Sequence, residues 1–278
     1  TFYRAVPRRI DRPASAQRAM IPAATQIADY SKTVFTAETR EGHSVSHDVY
    51  HRGSGAPVVL IQELPGIGQE TLALADRLIG AGFEVIMPHL FGPIGRISIG
   101  GNLVRVLCLR KEFSVLAARR SSPIVDWLRL LCRDVRQSRG VEGVGVIGMC
   151  LTGNFAISLI ADDSVLASVA SQPAMPFFKQ GALHMSADDV ADVRNALDKK
   201  GAMQVLRFED DPLCTSEKSE CIHKAFNDMD TTRVKEITLP GKGHSVLTLD
   251  FVDEAGHPTR AALDNVIAYF GKQLTAAD

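Results

Sequence analysis

Among the five cysteines, eight histidines and 32 acidic residues of this 278-residue chain, one set stands in the order that nucleophilic catalysis needs. Cys150 lies in Val144-Gly-Val-Ile-Gly-Met-Cys150-Leu-Thr-Gly153, a short apolar run that turns at once into a helical stretch. One reactive side chain at a strand-to-helix corner is the arrangement of a nucleophile elbow, with cysteine where serine is commoner. The sharp turn lifts the sulfur clear of the backbone. A helix amino end beneath it favours thiolate over thiol, and the N–H of Leu151 points into the same space, where it can stabilise an oxyanion. The competing reading of Cys150 is a small buried hydrophobe in a tight corner, so its partners decide.

A cysteine nucleophile needs a histidine to carry its proton and an acid to orient that histidine. On a parallel sheet they follow the nucleophile in the order acid, histidine, each just after a late strand. The run Met203 to Phe208 is followed by Glu209-Asp210-Asp211-Pro212, and Arg233 to Leu239 by Pro240-Gly-Lys-Gly-His244-Ser245. His244 combines a glycine-rich loop with a position after the last strand. His89 follows an earlier strand and is the alternative, while His257 comes just before the final helical stretch. His43, His47, His51, His184 and His223 read as surface residues. For the acid, Asp211 next to the proline is the choice and Asp210 the alternative.

The elements around these residues alternate. Val45 to His51 reads as a strand at period two, and Val58 to Ile61 as a strand buried on both faces. Further strands are expected at Phe83 to Met87, Val144 to Ile147, Leu166 to Ala170, Met203 to Phe208 and Arg233 to Leu239. Helices are expected at Glu70 to Gly80, Ser122 to Gln137, Phe155 to Ile160, from the capping box Ser186-Ala-Asp-Asp189 to Gly201, Ser216 to Met229, and Thr259 to Leu274. Strands alternating with helices of this length mean an α/β fold with a mostly parallel sheet covered on both faces. Residues 21–278 read as a single domain with a loop or helical insertion at about 92–122. Residues 1–20 carry five arginines, one acid and two prolines, with no apolar run of the secretory kind, and are set apart as an N-terminal extension.

Composition narrows the class of protein. Hydrophobic residues make up 45% and charged residues 23%, and the net charge is −1, so nothing points to nucleic acid or an anionic membrane as a partner. The five cysteines lack CxxC spacing, which argues against a disulfide framework and a zinc site. Reduced thiols, a cytoplasmic location, and neither metal nor cofactor are the expectations.

Taken together, these segments resemble the dienelactone hydrolase family of the α/β-hydrolase superfamily. Its elbow reads G-x-C-x-G-G, its acid sits in a G-x-x-D loop, and its histidine precedes a serine or a similar residue. Gly148-Met-Cys150-Leu and Gly243-His244-Ser245 match the first and last, and Phe208-Glu-Asp-Asp211 matches the second with phenylalanine in place of glycine. The resemblance implies two further roles in Gln62-Glu63-Leu64. A glutamate at Glu63 would help convert the resting cysteine to thiolate, and the Leu64 N–H would complete the oxyanion hole. It also marks departures. Thr152 replaces an elbow glycine, a β-branched residue in a tight corner. Pro93 and Thr248 stand where the best-known type has two arginines for the substrate carboxylate, with Arg96 nearby as a weak substitute. The resemblance therefore implies a carboxylic ester hydrolase that cleaves a small-molecule ester or lactone through a thioester acyl-enzyme, and not the small anionic dienelactone. The alternative is a non-catalytic ligand-binding or thiol redox-sensing protein on a hydrolase scaffold.

Overall fold

Apolar six-residue runs bounded by turns build the centre of the sheet. The computed structural model describes residues 25–64, 66–94, 122–175, 181–183 and 185–275. Eight strands, β1 (Ser31–Glu38), β2 (Ser44–Gly53), β3 (Ala56–Ile61), β4 (Phe83–Pro88), β5 (Val144–Met149), β6 (Val165–Ser171), β7 (Met203–Phe208) and β8 (Val234–Leu239), lie in the order β1-β2-β4-β3-β5-β6-β7-β8. β1, β2 and β4 pair antiparallel, and every pairing from β4 to β8 is parallel. β4 and β5 are buried at every position, which is why they carry no polar alternation.

Among the described residues six helices cover the two faces: α1 (Gln69–Gly80), α2 (Pro123–Arg139), α3 (Gly153–Leu159), α4 (Ala187–Lys200), α5 (Ser216–Phe226) and α6 (Pro258–Leu274). On one face Leu72 and Leu78 of α1 and Val266 and Phe270 of α6 pack on Val58, Leu60 and Ile147. On the other, Leu128 and Leu131 of α2, Phe155 of α3, Leu197 of α4 and Phe226 of α5 close over Val59, Ile61 and Val146. Local signals set the helix ends. Pro123 opens α2 and a left-handed Gly140 closes it. At α4, Ser186 Oγ accepts from the Asp189 N–H at 3.1 Å while the Asp189 carboxylate accepts from Ser186.

β1 carries no strand signal in the sequence. It is an edge strand, exposed along most of its length, so it lacks the alternation that reveals a half-buried strand. Its pairing with β2 forms a hairpin that α2 closes from one side. Trp127 of α2 lies fully buried there, 5.5 Å from the Phe35 ring and 5.0 Å from the His47 ring. His47 and His51 are thus half-buried under the hairpin rather than on the surface. His51 Nε2 pairs with Thr33 Oγ1 at 2.8 Å.

Ion pairs gather at the amino ends of the parallel strands. Arg139 pairs with Glu84 at the start of β4 and Arg133 with Asp162 ahead of β6, each at 2.7 Å. Arg233, ahead of β8, pairs with Asp198 and Asp228 at 2.6 Å. No helix among the described residues is long and apolar enough to cross a membrane.

Candidate active site

β5 ends at Met149 and α3 begins at Gly153, leaving a three-residue 3₁₀ turn, Cys150–Thr152, to reverse the chain. Cys150 adopts φ 55°, a left-handed conformation that non-glycine residues occupy only when surrounding structure imposes it. The turn depends on its glycines. A β-carbon on Gly148 would lie 2.2 Å from the Thr152 carbonyl oxygen, and one on Gly153 would lie 2.9 Å from Pro173 Cα.

Thr152 does not strain this turn. Its backbone is right-handed, at φ −76° and ψ −11°. Its buried hydroxyl accepts from the Met149 N–H at 2.9 Å and lies 3.0 Å from the Gln62 carbonyl and 3.3 Å from that of Ile61, to which it donates. The elbow is therefore pinned to the end of β3, where Glu63 and Leu64 follow.

Asp211 and His244 arrive from the carboxyl ends of β7 and β8. Both Asp211 carboxylate oxygens lie 2.9 Å from His244 Nδ1. The Leu213 and Cys214 N–H groups donate to Asp211 Oδ1 at 2.8 and 2.9 Å, which fixes the carboxylate. Glu209 and Asp210 are exposed, whereas Asp211 is buried, so Asp211 is the acid that meets the histidine. Phe208 has its own reason. Its ring fills the place a Gly243 side chain would need, since a β-carbon there would lie 2.6 Å from Phe208 Cε2.

His244 Nε2 is buried without a hydrogen bond of ordinary geometry, and Cys150 is, with Asp211, one of the two groups that act on the ring. Burial opposes protonation of the ring, but the Asp211 hydrogen bond, the Cys150 contact and the charges of both outweigh it and push the pKa up to about 10. Burial instead pushes the thiols of Cys132 and Cys214 up, Cys214 to about 12, the mark of inert core cysteines.

Glu63 is 2% exposed and turned toward the histidine loop. Ser245 Oγ donates to its Oε2 at 2.9 Å, Thr248 Oγ1 donates to Oε1, and the Gln172 amide reaches Oε2 at 3.5 Å. Burial pushes its pKa up, while the two hydroxyls and the His244 charge pull it down. Leu151 and Leu64 are both buried beside the corner, at 2% and 6% exposure. Arg96 lies outside the described residues. Pro93 is half-buried. The alternative histidine, His89, points to the Gly92 carbonyl at 2.7 Å, and His257 caps α6.

Sequence reasoning missed three contributors. Gln172 follows β6, is fully buried and holds φ 37°; a polar residue between a strand end and Pro173 was the available signal. Asp250 accepts from the N–H groups of His244 and Ser245 at 2.7 and 2.9 Å. Asn154 of α3 bonds the carbonyls of Leu151 and Ala174. Among the described residues no cluster of three or more His, Cys, Asp or Glu side chains is placed to hold a metal.

A mostly parallel eight-stranded sheet with a strand–turn–helix corner and late acid and histidine loops at its carboxyl end defines an α/β hydrolase. Within that class the chain belongs to the dienelactone hydrolase family, whose profile matches residues 48–274. Solved structures agree on the fold. A putative dienelactone hydrolase from Klebsiella pneumoniae superposes with a TM-score of 0.59 at 16% identity, covering 87% of this chain and 99% of that one. A dienelactone hydrolase-like promiscuous phosphotriesterase from metagenomic libraries gives 0.58 at 16% identity, with 87% and 98% covered. A cold-adapted esterase from an Arctic intertidal metagenomic library gives 0.57 at 13% identity, with 88% and 94% covered. No curated protein sequence matches the chain significantly.

Proposed function

We propose that the protein is a carboxylic ester hydrolase that opens a neutral ester or lactone through a thioester on Cys150. The observation that supports this most is the placement of His244, with Nδ1 on the Asp211 carboxylate at 2.9 Å and Cys150 acting on the same ring. The Cys150 thiolate attacks the carbonyl carbon and a C–S bond forms. The N–H groups of Leu151 and Leu64 hold the oxyanion. As it collapses the C–O bond breaks, and the His244 imidazolium gives its proton to the leaving alkoxide. A water then loses a proton to His244 and attacks the thioester, which releases the acid and returns the thiolate. Asp211 keeps the ring oriented throughout. Glu63, a buried carboxyl beside the same loop, serves as a second base for the Cys150 thiol.

The acyl group is uncharged on this reading. Pro93 offers no cation, and the Thr248 hydroxyl is committed to Glu63. Two charge-assisted contacts, worth roughly 1.5–3 kcal/mol each, are then missing for a carboxylate-bearing substrate. The test is turnover of p-nitrophenyl acetate and of matched neutral and anionic lactones by the wild type and by Cys150→Ala. The wild type should favour the neutral lactone by at least about 10-fold in kcat/KM, and Cys150→Ala should keep its circular dichroism and lose all turnover. Turnover retained without the sulfur sinks the assignment.

A further inference from the structure

Lys218 of α5 is fully buried, yet none of its hydrogen bonds runs to a carboxylate among the described residues. Its ammonium donates to Asn154 Oδ1 at 2.8 Å and to the Ala182 carbonyl at 2.7 Å. An ammonium in the interior with only neutral acceptors is costly, and burial lowers its pKa to about 8 against the smaller opposing effect of Cys214 and Cys221.

Its first partner leads to the elbow. An ammonium has no acceptor, so the side-chain oxygen of Asn154 must face it, and the amide NH₂ must face the other way. There Asn154 Nδ2 donates to the Leu151 carbonyl at 3.1 Å and to the Ala174 carbonyl at 3.0 Å. The Ala174 N–H in turn donates to the Cys150 carbonyl at 3.0 Å. That carbonyl is the far end of the peptide group whose N–H belongs to Leu151. The peptides on either side of Leu151 are therefore both gripped, one by Asn154 and one by Ala174, and Ala174 is itself held by Asn154. A cation on the Asn154 oxygen polarises its N–H groups and strengthens both bonds.

We propose that Lys218 is a positioning residue for ester cleavage: through Asn154 it fixes the peptide plane that presents the Leu151 N–H to the oxyanion. This rests on the hydrolase reading of the site. Lys218 touches no reacting atom and acts through Asn154 and the strained turn at Cys150, where φ is 55°. It distinguishes two reactions of the same sulfur. Acyl transfer needs the oxyanion donor, whereas alkylation by iodoacetamide does not.

The test compares Lys218→Met and Asn154→Asp with the wild type. The second variant gives the ammonium a carboxylate partner but removes the donors to the Leu151 and Ala174 carbonyls. Both should lower the p-nitrophenyl acetate acylation rate by about 10-fold or more with KM changed by less than about 2-fold, since a displaced oxyanion donor acts on the transition state alone. Alkylation of Cys150 should stay within about 3-fold of the wild type, because neither variant alters Asp211 or His244. If Lys218→Met does not fold, Asn154→Asp carries the comparison. Undiminished acylation in the folded variants overturns the proposal, and so does alkylation that falls in step with acylation, which means the whole corner has moved. A wild type that alkylates at Cys150 but never releases p-nitrophenol removes the hydrolase reading, and this proposal with it.

Discussion

At the scale of single residues, the protonation of His244 organises the site. The ring holds its proton more tightly in the folded chain than at its ordinary value of 6.5, with a pKa pushed up to about 10. The resulting stabilisation is full below about pH 6.5, fades as pH rises, and is gone above about 10. Asp211→Asn removes the carboxylate that supports the charge. Its urea midpoint should therefore change less than that of the wild type between pH 6.5 and 10, and Cys150 should react more slowly with iodoacetamide at pH 7; parallel midpoint curves would contradict the assignment of the proton. The contact of Asp211 with His244 was legible in the sequence, because chain order and strand-end positions single out such a pair without distances. The setting of Glu63 was not. Its partners Ser245 and Thr248 stand 182 and 185 residues away, and contacts so distant leave no local pattern. Lys218 was equally silent, since a lysine within a helix reads as solvated until the helix is seen to be packed.

At the scale of elements, the elbow is held by a side chain that looked unsuitable. Thr152 replaces glycine, and its hydroxyl satisfies the Met149 N–H and bridges to the end of β3. Thr152→Val keeps the shape and removes those bonds, leaving a buried N–H unpaired at a cost of about 1–3 kcal/mol. Chemical denaturation should show that loss, and Thr152→Ser should recover most of it; a valine variant as stable as the wild type would mean the hydroxyl holds nothing. Strands buried on both faces, such as β3 at Val58 to Ile61, were legible to within a residue or two because burial forces apolar runs. β1 was illegible for the same reason reversed, since Ser31 to Val34 are all exposed and only the pairing with β2 makes them a strand.

At the scale of the whole molecule, bracing and chemistry occupy opposite ends of the sheet. Cys150, Glu63, Asp211 and His244 follow the carboxyl ends of β5, β3, β7 and β8. The pairs Arg139–Glu84, Arg133–Asp162 and Arg233–Asp198 brace the amino ends. Arg139→Ala leaves the Glu84 side chain, only 10% exposed, without its guanidinium. Because Arg139 itself is part-exposed, the loss should be about 1–3 kcal/mol rather than the full value of a buried pair. The melting temperature should fall while kcat for a neutral ester stays unchanged; a parallel fall in kcat would show that the two ends are coupled. This separation also bears on how the chain can change over generations. With kcat unchanged in Arg139→Ala, exchanging ion pairs at one end retunes the temperature at which the molecule melts, and the geometry at the other end is left out of the negotiation. A lineage carrying this arrangement would then have, in Arg133, Arg139 and Arg233, residues free to vary with temperature at no expense to the far end of the sheet.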